Sequence, residues 1–184
     1  IMKSKLKDKK YKYSDLGFYF VPSIVESITN QSFESYLNEN FFEPLNLNHI
    51  CLKPLGKHDI NNIVPTEDDK YFRNRLIIGD VHDQTAALMG GVSGHAGLFS
   101  NARDLAVMLQ LLLNNGYANG MQFISEETIE YFTSAPFAEN ENRRGIGFDK
   151  PELDPDAELY TPSKQSSLES YGHSGFTGTF AWAD

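Results

Sequence analysis

Four of the chain's 14 glycines, Gly90, Gly91, Gly94 and Gly97, fall within eight consecutive positions. The stretch they punctuate, Gly90-Gly91-Val92-Ser93-Gly94-His95-Ala96-Gly97-Leu98-Phe99-Ser100, runs directly into the strongest helical pattern of the sequence. Glycine at that density permits backbone approaches that a Cβ would block, so this stretch reads as a close crossing beside a cleft. A phosphate cradle is the competing reading. Neither Gly-x-Gly-x-x-Gly nor the Gly-Lys-Ser/Thr ending of a P-loop occurs, and no apolar strand precedes it. The helix behind it is predicted over 101–115. Ser100 or Asn101 caps it, Asp104 complements its positive end, Leu105, Met108, Leu109 and Leu112 form the apolar stripe, and Gly116 ends it.

Such a helix needs a core to face, and the composition supplies one. Of 184 residues 40% are hydrophobic and 22% charged, with 13 Phe, 9 Tyr and 1 Trp, the balance of one globular domain or most of one. The net charge of −9 is unevenly spread: residues 1–12 hold six lysines and one aspartate, a basic N-terminal segment read as solvated, and the rest is acidic. An acidic body argues against a nucleic-acid groove. Cys51 is the only cysteine, which excludes an internal disulfide and a cysteine-rich zinc site, and it reads as a small buried hydrophobe. No apolar run is long enough for a membrane span. His82, Asp83, His95, Asp154, Asp156 and His173 lack the spacing of a ligand set, so no metal is expected. The chain opens on Ile1, shows no signal-peptide pattern and stops just after the strand-like Thr179-Phe180-Ala181-Trp182, and is read as a piece cut at both ends.

Elsewhere the pattern is helical, then irregular. Leu16, Phe20, Ile24 and Ile28 recur every four residues between 14 and 29, predicting one apolar helix face with a kink or a late start at Pro22. Ser32 caps a second helix, with Phe33, Tyr36, Leu37 and Phe41 inward and Pro44 at its end. Residues 45–78 and 149–170 read as long loops, and a short helix follows Ser125. Tyr171 to Ala183 reads as a strand or hairpin edge.

Two short motifs could carry chemistry. Tyr13-Ser14-Asp15 stands where a loop becomes a helix; taken alone it is a packing ring and an N-terminal charge. Read as Ser-Asp-Asn, the run Ser14-Asp15-Leu16 lacks the amide. His173-Ser174-Gly175-Phe176 enters a glycine-rich strand that can either offer backbone N–H groups to an oxyanion or simply pack closely.

In order, Tyr-Ser-Asp, His82-Asp83-Gln84, the Gly-Gly-Val-Ser-Gly-His-Ala-Gly-Leu-Phe-Ser stretch and His-Ser-Gly resemble one family across essentially the whole chain. It is the serine β-lactamase-like and penicillin-binding-protein-like hydrolases of the class C and esterase type. Within it the likeness is to the domains fused to family 3 glycoside hydrolases, β-N-acetylglucosaminidase-like modules of Gram-negative envelope proteins. The resemblance implies an α+β fold, an antiparallel sheet flanked by helices, of which residues 1–184 would be a partial domain: the helical region and the start of the sheet's second half. It implies a Ser-x-x-Lys nucleophile, a Tyr-x-Asn proton shuttle and a Lys/His-x-Gly strand.

Tyr13, Asp15 and His173 match the second and third elements as catalytic residues, with Ser174, Gly175 and Phe176 as substrate-binding residues. Asp15 stands where the family has Asn. His173 stands for the usual Lys, and a neutral imidazole attracts a β-lactam carboxylate less, which favours an esterase or peptidase. Ser4-Lys5-Leu6-Lys7 fits the first element only formally, nine residues before Tyr13. The expectation is a periplasmic or cell-envelope hydrolase domain without cofactor, acting on a small-molecule or peptidoglycan-like substrate and completed by the remainder of its own chain, itself possibly a glycoside hydrolase module; this piece alone should be inactive. The alternative is an inactive module that binds cell wall or glycan.

Overall fold

A computed structural model describes residues 11–140, 142–154, 156, 157 and 161–184. Most of the basic 1–12 segment, Ser4 included, lies outside the described residues. The Ser14 hydroxyl accepts from the Leu16 N–H and opens a 3-10 turn over Asp15–Phe20, which passes into α1, Val21–Thr29. Pro22 stands in the first turn of α1, where its missing N–H has no helical partner to lose, so the interruption is a late helix start and not a kink. Left-handed Asn30 ends α1. Ser32 caps α2, Phe33–Leu37, which continues as a π-helical turn over Asn38–Phe42 before Pro44.

The four-residue spacing does not make one helix face, because Leu16 and Phe20 lie in the 3-10 turn and only Ile24 and Ile28 lie on α1; Leu16, Phe20 and Ile24 are about half exposed and Ile28 is 76% exposed. The core lies elsewhere. Phe42, Leu45, Leu47 and Ile50 bury against Leu111, with Leu37, Phe41, Val107 and Met108 packed around them.

Residues 45–78 are not one long loop. They hold β1, Cys51–Leu52, then an antiparallel hairpin of β2, Glu67–Asp69, and β3, Arg75–Ile77. Buried Asp69 shapes the hairpin turn by accepting the backbone N–H groups of Tyr71, Phe72 and Arg73. Asp83 caps the short α3, Gln84–Leu88. The glycine-rich stretch then leads to β4, Leu98–Phe99, which pairs with β1.

The predicted helix is α4, Ala102–Leu113, capped by Asn101 and closed by Asn114, two residues before Gly116, whose φ of +79° an L side chain tolerates poorly. Its buried face is turned from the predicted stripe: Asp104 and Leu111 are buried, whereas Leu105, Met108, Leu109 and Leu112 are half-buried. The Asp104 carboxylate accepts the His49 N–H at 2.7 Å, which lets a charge occupy the inner side.

Beyond it come the short pair β5, Tyr117–Ala118, and β6, Met121–Gln122, then α5, Glu126–Thr133, capped by Ser125. The chain closes on β7, Tyr171–Ser174, and β8, Phe180–Ala183, an antiparallel hairpin in register Tyr171 to Ala183, with β8 packed on α4. Helices with small antiparallel ladders make the α+β fold that was expected.

Candidate active site

Three segments distant in sequence meet beside β7. Tyr13 immediately precedes the Ser14 cap, so the 3-10 turn fixes where its ring begins. The segment 142–150 is bridged to β7 at one point: the Asp149 N–H donates to the Gly172 carbonyl at 2.7 Å, and the Gly172 N–H returns to the Asp149 carbonyl at 3.1 Å. The Ile146 N–H bonds the Phe132 carbonyl at the end of α5, anchoring the same segment from its other side.

That docking delivers Arg144 between the two expected catalytic rings. Its Nη1 donates to Nε2 of His173 at 3.2 Å, its Nη2 donates to Asp149 Oδ2 at 2.9 Å, and its guanidinium carbon lies 4.9 Å from the Tyr13 ring centroid. The Tyr13 and His173 rings are 6.3 Å apart. Nδ1 of His173 lies 2.7 Å from the Ser174 carbonyl, an acceptor only, so Nδ1 carries the proton and Nε2 offers its lone pair to Arg144. Asp149 is shared with Arg143, whose Nη2 is 3.1 Å from Oδ1.

These groups border a cavity of about 390 Å³, with Tyr13, Asp15, Phe18, His95, Arg144 and His173 among its walls. Tyr13, Asp15 and His173 are thus gathered as expected. Ser174, Gly175 and Phe176 are not in the cavity wall; they form the hairpin end next to it. The Gly175 N–H donates to the Thr179 carbonyl at 2.7 Å, and the exposed Phe176 ring stacks on His82 at 5.1 Å and 10°. Partial burial first, and the Asp15 charge second, push the Tyr13 phenol above its ordinary value, with the Arg144 cation opposing them.

Arg144 was not singled out from the sequence. Its only signal there is a pair of adjacent cations, Arg143-Arg144, in an acidic body. It places a guanidinium from another segment beside His173, so the imidazole is not the only source of positive charge there. The glycine-rich stretch reaches the cavity through His95 and is held by an internal relay. Ser93 Oγ lies 2.7 Å from His95 Nδ1, and His95 Nε2 lies 2.9 Å from Asp83 Oδ1.

A model of the family described as Beta-lactamase matches residues 3–184. The chain belongs to the Beta-lactamase family. Among relatives, a protein of Escherichia coli O157:H7 named "Putative D-alanyl-D-alanine carboxypeptidase" is 36% identical over 189 residues, covering 95% of this chain and 42% of that protein. An N-acetylmuramyl-L-alanine amidase of Bacillus subtilis (strain 168) is 33% identical over 187 residues, with the same shares. The chain therefore spans less than half the length of these relatives.

A β-lactamase from Mycobacterium bovis shares the fold at a TM-score of 0.60 and 21% identity, over 95% of this chain and 52% of that one. An octameric penicillin-binding protein homologue from Pyrococcus abyssi does so at 0.58 and 20%, over 92% and 34%. Among the described residues of this Beta-lactamase-family chain, no group of three or more His, Cys, Asp or Glu side chains is arranged to hold a metal ion. None of its described helices is long and apolar enough to cross a membrane.

Proposed function

We propose that this chain is part of a serine hydrolase domain of the class C and esterase kind, acting on an ester, amide or peptidoglycan-like substrate through an acyl-enzyme. The observation that carries the reading is the convergence of Tyr13 and His173, 6.3 Å apart at one cavity although 160 positions separate them in sequence. The carboxypeptidase and amidase names of the relatives support the substrate class and a place in the periplasm or cell envelope.

In this reading a serine hydroxyl attacks the substrate carbonyl, and as its proton passes to the Tyr13 oxygen the phenol's own proton passes to the leaving group while the carbonyl–heteroatom bond breaks. A phenol held above its ordinary value stands protonated at rest, which suits a relay and not a standing base. Partial burial, and after it the Asp15 charge, maintain that state. Arg144 fixes the His173 ring and gives an anionic substrate a cation, while the hairpin end at Ser174, Gly175 and Phe176 flanks the acyl group. No cofactor enters this scheme. The nucleophile and the rest of the domain come from the remainder of the protein, and the chain alone does not turn substrate over.

A fluorescent penicillin and a fluorophosphonate ester test this on the complete protein and on the isolated chain. Covalent labelling of a serine in the complete protein, and none in the isolated chain, is expected. A complete protein that binds a peptidoglycan fragment yet is never acylated would establish the alternative, an inactive binding module.

A further inference from the structure

The stretch His82-Asp83 has no part in the scheme above, yet one of its side chains meets the hairpin end beside the cavity at Phe176 and the other meets His95 in the cavity wall. Its backbone is fixed from the β2–β3 hairpin. Arg73, itself largely buried, donates from Nη1 to the Val81 carbonyl at 2.6 Å and from Nη2 to the His82 carbonyl at 2.5 Å. Arg73 is in turn held by Asp69 at 3.1 Å and by Asp80 at 3.2 Å. A guanidinium with all these partners occupied holds two successive carbonyls in one place.

From that fixed point the side chains diverge. The His82 ring stacks on Phe176, three residues beyond His173 on the same hairpin. The Asp83 carboxylate takes the Ala86 N–H at 2.7 Å and the His95 Nε2 proton at 2.9 Å. His95 is locked at its other nitrogen by Ser93, and its ring lies 4.6 Å from that of Tyr19. Beside it Gly94 is pressed against the 3-10 turn: a Cβ there would lie 2.5 Å from the Phe18 carbonyl oxygen and 2.8 Å from Val21 Cβ. Phe18 and Tyr19 belong to the turn that starts two residues after Tyr13.

We propose that His82-Asp83 is a positioning clamp: His82 holds the hairpin that carries His173, Asp83 holds through His95 the turn that carries Tyr13, and together they set the spacing of those two rings. Its bearing on activity rests on the functional reading above, in which both rings serve one acyl group. The two residues touch neither substrate nor reacting atoms; they act through others, and adjacency on one anchored backbone makes the two contacts a single rigid measure.

Crystal structures and kinetics of the complete protein with H82A and H82F substitutions test the clamp. In H82A the Phe176 ring loses its platform, the Tyr13–His173 separation departs from 6.3 Å, and kcat falls about tenfold with KM within about twofold, since a misplacement near 1 Å is enough for such losses. H82F keeps an aromatic platform without the imidazole, and restores both the separation and kcat; it also carries the test should H82A fold poorly. D83N combined with H82A is expected to cost less than the sum of the two, because both act on one distance. An unchanged separation in H82A, or an H82F that restores nothing, overturns the clamp. Y13F and H173A separate it from the functional reading: if they leave kcat intact while H82A still moves the rings, the reading fails and the clamp stands, and if they lower kcat while H82A changes nothing, the clamp alone fails.

Discussion

Arg144 donates to His173 from Nη1 to Nε2 across 3.2 Å, so the first position of the His173-Ser174-Gly175 motif is shared by an imidazole and a guanidinium from a separate segment. The same guanidinium covers the Tyr13 ring and binds Asp149. One guanidinium therefore touches both rings of the site and an anion beside them.

His173→Lys tests that dependence. A lysine there would set an ammonium against the Arg144 cation, with a repulsion on the order of 1–4 kcal/mol at 4 Å, between the limits of water and a protein surface. The substitution is expected to lower the melting temperature and to leave kcat/KM for a penicillin, relative to a neutral ester, no better than wild type. A large rise in that ratio would mean that Arg144 does not supply the cation an anionic substrate meets.

Tyr13 should titrate late. Burial and Asp15 raise its phenol above the ordinary value of 10.0, and Arg144 pulls it back. Tyrosinate absorbance of wild type minus that of Y13F isolates its step, expected above that value, higher still in R144M and lower in D15N. In the complete protein Y13F should reduce kcat about 10²–10⁴-fold, the usual share of general acid–base catalysis. A step that ignores Arg144 would contradict the stacked geometry.

The β2–β3 hairpin should be acid-sensitive through Asp69. The Phe72 N–H bond leads the interactions that hold its carboxyl far below the usual range, ahead of the burial that opposes them, with the Tyr71 and Arg73 N–H groups and the Arg73 side chain adding to the lowering. A carboxyl depressed by folding contributes stability in full above its unfolded value of about 3.9, and that contribution drains as pH falls below it. Urea midpoints should drop steeply as pH falls from 4 to 2 in wild type and less in D69N, which starts lower at pH 7. Parallel curves would show that Asp69 is not a stabilising anion.

Gly94→Ala puts a methyl group into the Phe18 carbonyl and Val21. Overpacking of this kind costs about 1–3 kcal/mol. Beyond the lower melting temperature, circular dichroism in the aromatic region should change, because Tyr19 and His95 must part or tilt. Gly90→Ala meets no heavy atom within 4 Å and differs chiefly by the strain of its φ of +83°, so it serves as the comparison.

What the sequence makes legible is local. Ser32, Asn101 and Ser125 each announce a helix start because a cap needs only a side-chain oxygen and an N–H two or three residues on. The Tyr13 and His173 motifs are singled out only by their resemblance to one family, since taken alone each reads as readily as packing. β1 and β4 were not legible: two residues each leave no alternation to read, and their pairing spans the interval from Cys51 to Phe99. The α4 stripe was misjudged because Asp104 looks like a surface charge until His49 arrives to satisfy it. Arg144 and the Asp83–His95 contact are products of docking between distant segments, and a single chain of letters carries no pattern for that.

The exposed Leu16, Phe20, Ile24 and Ile28 side chains bear on how the polypeptide is handled in solution. Sulfate and phosphate salts, excluded from protein surfaces, strengthen the tendency of such side chains to leave water. For this chain on its own, contact between copies is one way of covering them. Its acidic balance helps only where ionic strength is low enough for like charges to keep the copies apart.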